Sequence, residues 1–288
     1  MPQTARRVSP RRFGIVAAVT DETKAERFLA LHHGDAPLLL ANAWDAGSAR
    51  LLASLGFSAL ATTSSGFAAT LGRLDGSVTL DEALEHSAVV ASAVDLPVSA
   101  DLENGFADSP AGVAETIRLA VATGLAGGSI EDFTGRADDP IYEAGLAAER
   151  VAAAAEAAHA GGGFVLTARA ENHLHDRSDL DDTIARLQSF QEAGADVVYA
   201  PGVYTLEDVR RLVDSVDVPV NVLARPGGPT VAELASVGVA RISVGGAFAF
   251  AAFGAVVEAA RELQDQGTYG FWERAGVGSK AAKSAFRP

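Results

Sequence analysis

Two carboxylates, Asp101 and Glu103, end a stretch of sequence that begins at Val98 as a buried strand. The period-two alternation of a strand predicts that both side chains point the same way. Like charges held together repel each other, and near an apolar core they also lose hydration. A divalent cation would stabilise the pair, whereas simple exposure at a strand end would remove most of the cost. The residues at the other strand ends decide between a metal site and a polar loop.

Short apolar runs alternate with longer Ala-rich amphipathic runs along the chain, which predicts alternating strands and helices. The predicted strands lie near residues 37–41, 59–63, 98–101, 128–131, 164–169, 196–200, 218–223 and 241–244. The predicted helices lie near residues 46–55, 79–94, 110–123, 145–160, 180–193, 205–215, 230–236 and 246–266. Eight such units in 288 residues favour a closed (β/α)8 TIM barrel over an open doubly wound sheet. We therefore predict a single barrel domain over residues 21–288.

The composition excludes several classes of function. The chain has no cysteine, which excludes disulfides, thiolate metal sites and cysteine nucleophiles. A net charge of −14 argues against nucleic-acid binding. No run of about 18 apolar residues occurs, so no membrane-spanning helix is predicted. These features together predict a soluble cytoplasmic protein.

The two ends of the chain depart from the barrel pattern. Four arginines cluster within residues 6–12, in a segment that lacks the apolar region of a signal peptide. We predict that residues 1–20 form a disordered basic tail. Aromatic residues follow the last predicted helix, within residues 267–272, and a monomer would need somewhere to bury them. A partner subunit is one such place.

The chemistry of a TIM barrel lies at the carboxyl ends of its strands. Six predicted strands end in, or carry, polar residues that would converge there: Asn42 and Asp45, Thr62 to Gly66, Asp101 to Gly105, Glu131 and Asp132, Arg169 to Asn172, and Asn221. Mg²⁺ prefers carboxylate oxygens and keeps several waters. We predict that Asp101, Glu103 and Glu131 hold this ion, partly through water.

Other residues of this set suit an anionic ligand. Thr63, Ser64 and Ser65, with their backbone N–H groups, could bind a carboxylate, and Asn221 lies among them. Arg169 could bind a second anionic group or stabilise developing negative charge. The set suits a small dianion that passes through an enolate, with the metal as Lewis acid. Any one of these carboxylates could equally cap a helix or pair with an arginine, and it is the joint pattern across four strands that favours a site.

The chain resembles the isocitrate lyase/phosphoenolpyruvate mutase superfamily, in its short PrpB-like branch. The resemblance covers roughly residues 25–265, and the matching stretches follow the family's order. These stretches are Asn42 to Arg50, Thr62 to Gly66, Leu71 to Gly76, Ser99 to Gly105, Ile130 to Asp132 and Thr167 to Glu171. The combination is specific, although no single stretch would be.

This resemblance implies a barrel whose last helix swaps onto a neighbouring subunit, in a dimer or tetramer. It implies Mg²⁺, with Mn²⁺ as the alternative, around Asp101, Glu103 and Glu131. It also implies a small 2-oxocarboxylate substrate whose carboxylate lies on the loop from Thr63 to Gly66. Arg169 would face the reacting end of that substrate. Asp75 matches a family aspartate near the metal and the reaction centre.

One segment departs from the family pattern. The carbon–carbon lyases carry a Lys-Lys/Arg-Cys-Gly-His segment after strand 4, the mutases carry Lys-Thr-Asn-Ser, and residues 133–140 match neither. Both classes share an enolate stabilised by metal and arginine. We therefore predict a Mg-dependent lyase that cleaves a C–C bond of a small 2-oxo or 2-hydroxy di-acid, or decarboxylates it. The alternatives are a phosphonate mutase or hydrolase, and a 2-oxo-acid-binding barrel without turnover. Residues 134–140 would form a mobile lid with Arg136 as its cation.

Overall fold

The eight predicted strands form one closed parallel barrel in chain order. The computed structural model describes residues 22–161 and 163–287, so the predicted tail over residues 1–20 lies outside the described part. The strands are β1 Leu38–Asn42, β2 Leu60–Ala61, β3 Val98–Asp101, β4 Gly127–Glu131, β5 Val165–Arg169, β6 Val197–Tyr199, β7 Val220–Leu223 and β8 Arg241–Ser243. Leu38 of β1 pairs with Arg241 of β8, which closes the barrel. The TIM-barrel prediction is confirmed.

A helix follows each strand, and three further helices were not predicted. The helices are α1 Lys24–Ala30, α2 Ala46–Ser54, α3 Ser64–Thr70, α4 Leu80–Ser92, α5 Pro110–Ala122, α6 Ala144–His159, α7 Leu180–Glu192, α8 Leu206–Val213, α9 Val231–Ser236, α10 Ala247–Arg261 and α11 Phe271–Ala285. The unpredicted ones are α1, α3 and α11. Of these, α1 begins with a capping box between Thr23 and Glu26, a pattern that fixes where a helix starts.

Helix α1 covers the amino-terminal end of the barrel. Its Phe28 is fully buried and packs with residues at or near the beginnings of strands, among them Leu38, Val165 and Val197. Gly127 at the start of β4 permits this contact, because a Cβ there would lie 3.0 Å from the Phe28 ring and 2.6 Å from the carbonyl oxygen of Val165. The amino end beneath α1 is therefore closed largely by apolar side chains, whereas the chemistry of a TIM barrel lies at the carboxyl end.

The C-terminal helices bury little of their surface. Ala249 is the one residue of α10 that is buried, and α11 has none. Large apolar side chains on or between these helices are exposed, including Phe250, Val256, Trp272 and Val277. Helix α11 contacts α2, where the Phe286 ring lies near Gly47. Within the described ranges, no helix is both long and apolar enough to cross a membrane.

Candidate functional site

The side chain of Arg169, at the end of β5, contacts three carboxylates. Its Nη1 lies 3.0 Å from Asp101 Oδ1, and its Nη2 lies 3.1 Å from Glu131 Oε2. Nη2 and Nε lie 2.7 Å and 2.9 Å from Glu171 Oε1. Burial alone would lower the pKa of Arg169, but these carboxylates raise it well above its ordinary value. The result is a permanently charged guanidinium whose position is fixed from three sides.

The register of the sheet and a buried ion pair explain how these partners meet. Glu131 of β4 and Arg169 of β5 are paired residues of adjacent strands. Glu171 lies two residues after Arg169. It is held in place because its backbone N–H donates to Asp132 Oδ1 at 2.7 Å. Asp132 is in turn paired with Arg186 of α7 at 3.1 Å. Asp132 and Arg186 therefore position Glu171 from behind and do not themselves line the open site.

Asp101 is held by the end of β2 as well as by Arg169. The backbone N–H and the hydroxyl of Ser64 donate to Asp101 Oδ2 at 3.1 Å and 2.9 Å. The backbone N–H of Asp101 donates to the Thr62 hydroxyl at 2.9 Å. The predicted proximity of these two strand ends is thus observed, with Ser64 bonded to Asp101 in this arrangement.

Glu103 reaches the site by a turn, and not by strand alternation. Strand β3 ends at Asp101, and Glu103 adopts a left-handed backbone conformation with φ of 48°. The expectation that alternation would align the two carboxylates was therefore wrong. They nevertheless line one small cavity together beside α3, and burial, Asp101 and Asp75 raise the pKa of Glu103 to about 7.

Four carboxylates crowd one side of Arg169: Asp75, Asp101, Glu103 and Glu131. Burial raises the pKa of Glu131 well above its ordinary value, and burial together with Asp101 raises that of Asp75 at the rim. Among residues 22–161 and 163–287, no three Asp, Glu or His side chains converge as a preformed set of direct metal ligands. Crowded carboxylate oxygens fit a hard cation such as Mg²⁺, which needs only one or two of them because it keeps waters.

A cavity of about 160 Å³ lies beside these groups at the barrel centre. Its walls carry Arg169, Asp101, several hydroxyls and, deeper, Tyr199, Asn221 and Arg241. A wider cavity of about 570 Å³ lies outside it, and Asp75 lines both. The inner volume is below the range typical of drug-sized ligands and suits a small acid.

The predicted substrate-binding residues all lie at this inner cavity or directly behind it. Thr63 caps the start of α3, because its hydroxyl accepts from the Gly66 N–H at 3.3 Å, and it is also hydrogen-bonded to the Ser65 hydroxyl at 3.1 Å. Asn221 donates to the Ser243 hydroxyl at 3.0 Å and accepts from Arg241 Nε at 2.9 Å. The structure thus brings these residues together, and their contact with a substrate stays a prediction.

Sequence reasoning gave no role to Glu171, Tyr199 or Arg241. Glu171 was noted only as part of the end of β5, and its contact with Arg169 depends on the turn that follows. The Arg169 guanidinium lies 5.3 Å from the Tyr199 ring centroid, within cation–π range. Arg241 lies at the beginning of β8, where a search of carboxyl ends does not look. The signal in the sequence that could have identified Arg241 was an arginine within an otherwise apolar strand pattern.

The predicted lid is a short hairpin beside the wider cavity. Phe133 pairs with Ile141, and the N–H of Thr134 donates to the Pro140 carbonyl at 2.8 Å. Arg136 lies 3.4 Å from Asp108, and Gly135 lines the cavity wall. The Phe133 and His175 rings stack with their centroids 4.1 Å apart, so His175 packs against the hairpin.

His32 is expected to make the protein less stable in mild acid. Burial and the Arg241 charge lower its pKa to about 3, whereas an unfolded histidine has a value near ~6.5. Because the pKa of His32 is depressed in the folded state, the contribution of His32 to the free energy of unfolding is fully present above pH ~6.5. It is lost as the pH falls toward 3. We expect about 2 kcal/mol less unfolding free energy at pH 5 than at pH 7.5.

Urea unfolding at both pH values measures this loss. His32→Gln should flatten the pH dependence, and the same change at the exposed neighbour His33 is the control. An unaltered slope in His32→Gln would show that other groups cause the acid sensitivity.

The comparisons with known proteins agree with the barrel fold. Residues 28–264 match the family model described as phosphoenolpyruvate phosphomutase. A Burkholderia cenocepacia structure of inferred lyase/mutase activity is 51% identical with a TM-score of 0.89, over 92% of this chain and 96% of that one. The chain belongs to the isocitrate lyase/phosphoenolpyruvate mutase superfamily, which confirms the resemblance seen in the sequence.

Two relatives of named activity illustrate the range of the family. The 2-methylisocitrate lyase of Escherichia coli is 31% identical over 64% of this chain and 64% of its own length. Oxaloacetate decarboxylase 2 of Pseudomonas fluorescens is 29% identical over 82% of each chain. These two relatives are thus a lyase and a decarboxylase.

Proposed function

We propose that this protein is a Mg²⁺-dependent enzyme that cleaves or decarboxylates a small 2-oxo or 2-hydroxy di-acid through an enolate. The observation that carries this proposal is the Arg169 guanidinium, fixed by Asp101, Glu131 and Glu171 at the edge of a small cavity. A charge held in a fixed position stabilises an oxyanion without reorganising during the reaction. The relationship to an oxaloacetate decarboxylase supports the choice of substrate class.

The carboxylates on the other side of the cavity suit the metal. Asp101, Glu103 and Glu131 would hold Mg²⁺, or Mn²⁺, partly through water. The bound ion would supply Lewis-acid charge to the substrate oxygens. The pKa of Glu103 is raised by burial and by the charges of Asp101 and Asp75, and that of Glu131 by burial and by neighbouring carboxylates including Glu103. A cation would relieve this repulsion.

Asp75 is the group proposed to move a proton. It lines both cavities, and its pKa is raised by partial burial and by the charge of Asp101. A raised carboxyl pKa brings the group closer to the range in which it can both accept and return a proton. Arg169 would hold the reacting end of the substrate while Asp75 acts from the rim.

A phosphonate mutase or hydrolase is the second candidate. It is favoured by the match of residues 28–264 to the phosphoenolpyruvate phosphomutase model. Phosphorus NMR on phosphoenolpyruvate and phosphonopyruvate distinguishes the two, because a change in phosphorus signals would identify this chemistry. Binding of oxalate without turnover of any acid would instead indicate a barrel that only binds 2-oxo acids.

Oxalate, a mimic of the pyruvate enolate, is expected to bind only when Mg²⁺ is present. The crowded carboxylates repel an anion until a cation offsets their charge. Calorimetric titration with and without Mg²⁺ measures this dependence. Metal-dependent binding would support the site and direct substrate tests to oxaloacetate. Absence of binding under both conditions would contradict the proposal.

We also propose that the chain forms a homo-oligomer, a dimer or tetramer, through its C-terminal helices. The two C-terminal helices expose several large apolar side chains, Phe250, Val256, Trp272 and Val277, and an apolar surface of this kind is seldom left uncovered in a soluble monomer. Light scattering coupled to size exclusion should give a multiple of the chain mass of 29.5 kDa. Val256→Asp on α10 should lower that multiple, and a monomeric wild-type protein would contradict the proposal.

A further inference from the structure

Arg241 carries a buried charge that no carboxylate of the described residues neutralises. Its side chain is 3% exposed, and its three nitrogens contact only neutral acceptors. Nε donates to Asn221 Oδ1 at 2.9 Å, Nη1 to His32 Nε2 at 3.1 Å, and Nη2 to Thr167 Oγ1 at 3.0 Å. Burying an unpaired charge is costly, so a charge retained in this way calls for a functional reason.

The contact with His32 fixes the charge states of both groups. A guanidinium only donates hydrogen bonds, so His32 Nε2 must accept and its Nδ1 must donate to the Phe28 carbonyl at 2.8 Å. His32 is therefore neutral. Burial lowers the pKa of Arg241 to about 9, which leaves the guanidinium charged at neutral pH. The positive charge is therefore retained at neutral pH, and no carboxylate within residues 22–161 and 163–287 forms an ion pair with it.

Arg241 lines the same inner cavity as Arg169, but the two arginines are in opposite electrostatic situations. Arg169 is paired with three carboxylates of the protein. Arg241 is paired with no carboxylate in the part of the chain that the structure describes. The positive charge of the cavity wall that is not paired with a carboxylate of the described residues is therefore that of Arg241, at the start of β8 beside β7.

We propose that Arg241 is a positioning residue whose unpaired charge makes the cavity select doubly charged acids over singly charged acids. This inference rests on the proposed binding of a small acid in the cavity and adds a preference for its second charge. A ligand with one negative charge would already be attracted by a bound Mg²⁺ and by Arg169. A second negative charge gains the attraction of Arg241, which is screened little in a buried site.

Thr167 allows the charge of Arg241 to be neutralised without removing the arginine. It is fully buried on β5, and its hydroxyl accepts from Arg241 Nη2. Thr167→Asp would place a carboxylate beside the guanidinium. Thr167→Asn is the matched control, with the same shape and no charge. A purely structural role of Arg241 would not distinguish the two variants in ligand preference.

The experiment compares the affinities for oxalate and for oxamate, which has the same skeleton and one charge less, at constant Mg²⁺. We expect wild type and Thr167→Asn to prefer oxalate, and Thr167→Asp to lose this preference by about tenfold or more. Arg241→Gln should also lose it and Arg241→Lys should keep it; if Arg241→Gln fails to fold, the two Thr167 variants decide.

Equal preference in Thr167→Asp and Thr167→Asn, with oxalate still bound tightly, would overturn the role of Arg241 and leave the proposed function standing. Failure of the wild-type protein to bind either acid would overturn both.

Discussion

Arg169→Lys is expected to lower kcat/KM on the substrate acid by about 10²–10³-fold, the usual cost of removing one preorganised charged donor. Lysine keeps the charge but not the planar fork of donors. A single ammonium cannot reproduce the contacts to Asp101, Glu131 and Glu171, which use three different nitrogens of the guanidinium. The carboxylates would then repel each other, and we expect unfolding free energy to fall by about 2 kcal/mol.

Steady-state kinetics with oxaloacetate, together with urea unfolding, measure both effects. Arg118→Lys is the matched control, because Arg118 makes an exposed pair with Glu115 on the same helix. Retention of activity within tenfold in a folded Arg169→Lys protein would mean that the guanidinium fork is not used in the reaction.

The sequence predicted the barrel because the strand–helix alternation is a local property. Each apolar run and each following amphipathic run could be recognised by itself, and eight of them leave few topologies. The boundaries at β2 were less well predicted. The run from Ala59 to Thr63 looked like a strand, but the strand ends at Ala61 and Thr63 caps α3. The hydrogen bond between the Thr63 hydroxyl and the Gly66 N–H marks where the helix starts, and a sequence pattern does not show it.

The candidate site was predicted as a set of residues and not as a set of contacts. Asp101, Glu131 and Arg169 were identified from their places at strand ends. That Arg169 bridges them depends on the register of β4 against β5 and on the reach of a long side chain. Arg241 was missed for a related reason, since it enters the cavity from the beginning of its strand. Neither register nor reach is visible in a single sequence.

Asp101→Asn is expected to lower the Mg²⁺-dependent turnover rate by about 10³-fold while the barrel stays folded. Asparagine has the same shape and can still accept from the Ser64 N–H and hydroxyl. It lacks the negative charge that the metal requires. Arg169 would keep its contacts with Glu131 and Glu171, so the site should not collapse.

The readouts are the decarboxylation rate of oxaloacetate, oxalate titration with Mg²⁺, and the unfolding midpoint. Asp181→Asn is the control, because Asp181 is exposed and makes a surface pair with Arg211. The combination of lost metal dependence and an unaltered midpoint would place the metal at Asp101. A variant that still turns over substrate at the wild-type rate with Mg²⁺ would show that Asp101 serves only to hold Arg169 and Ser64. The choice between cation site and polar loop at the end of β3 thus depends on one charge at Asp101.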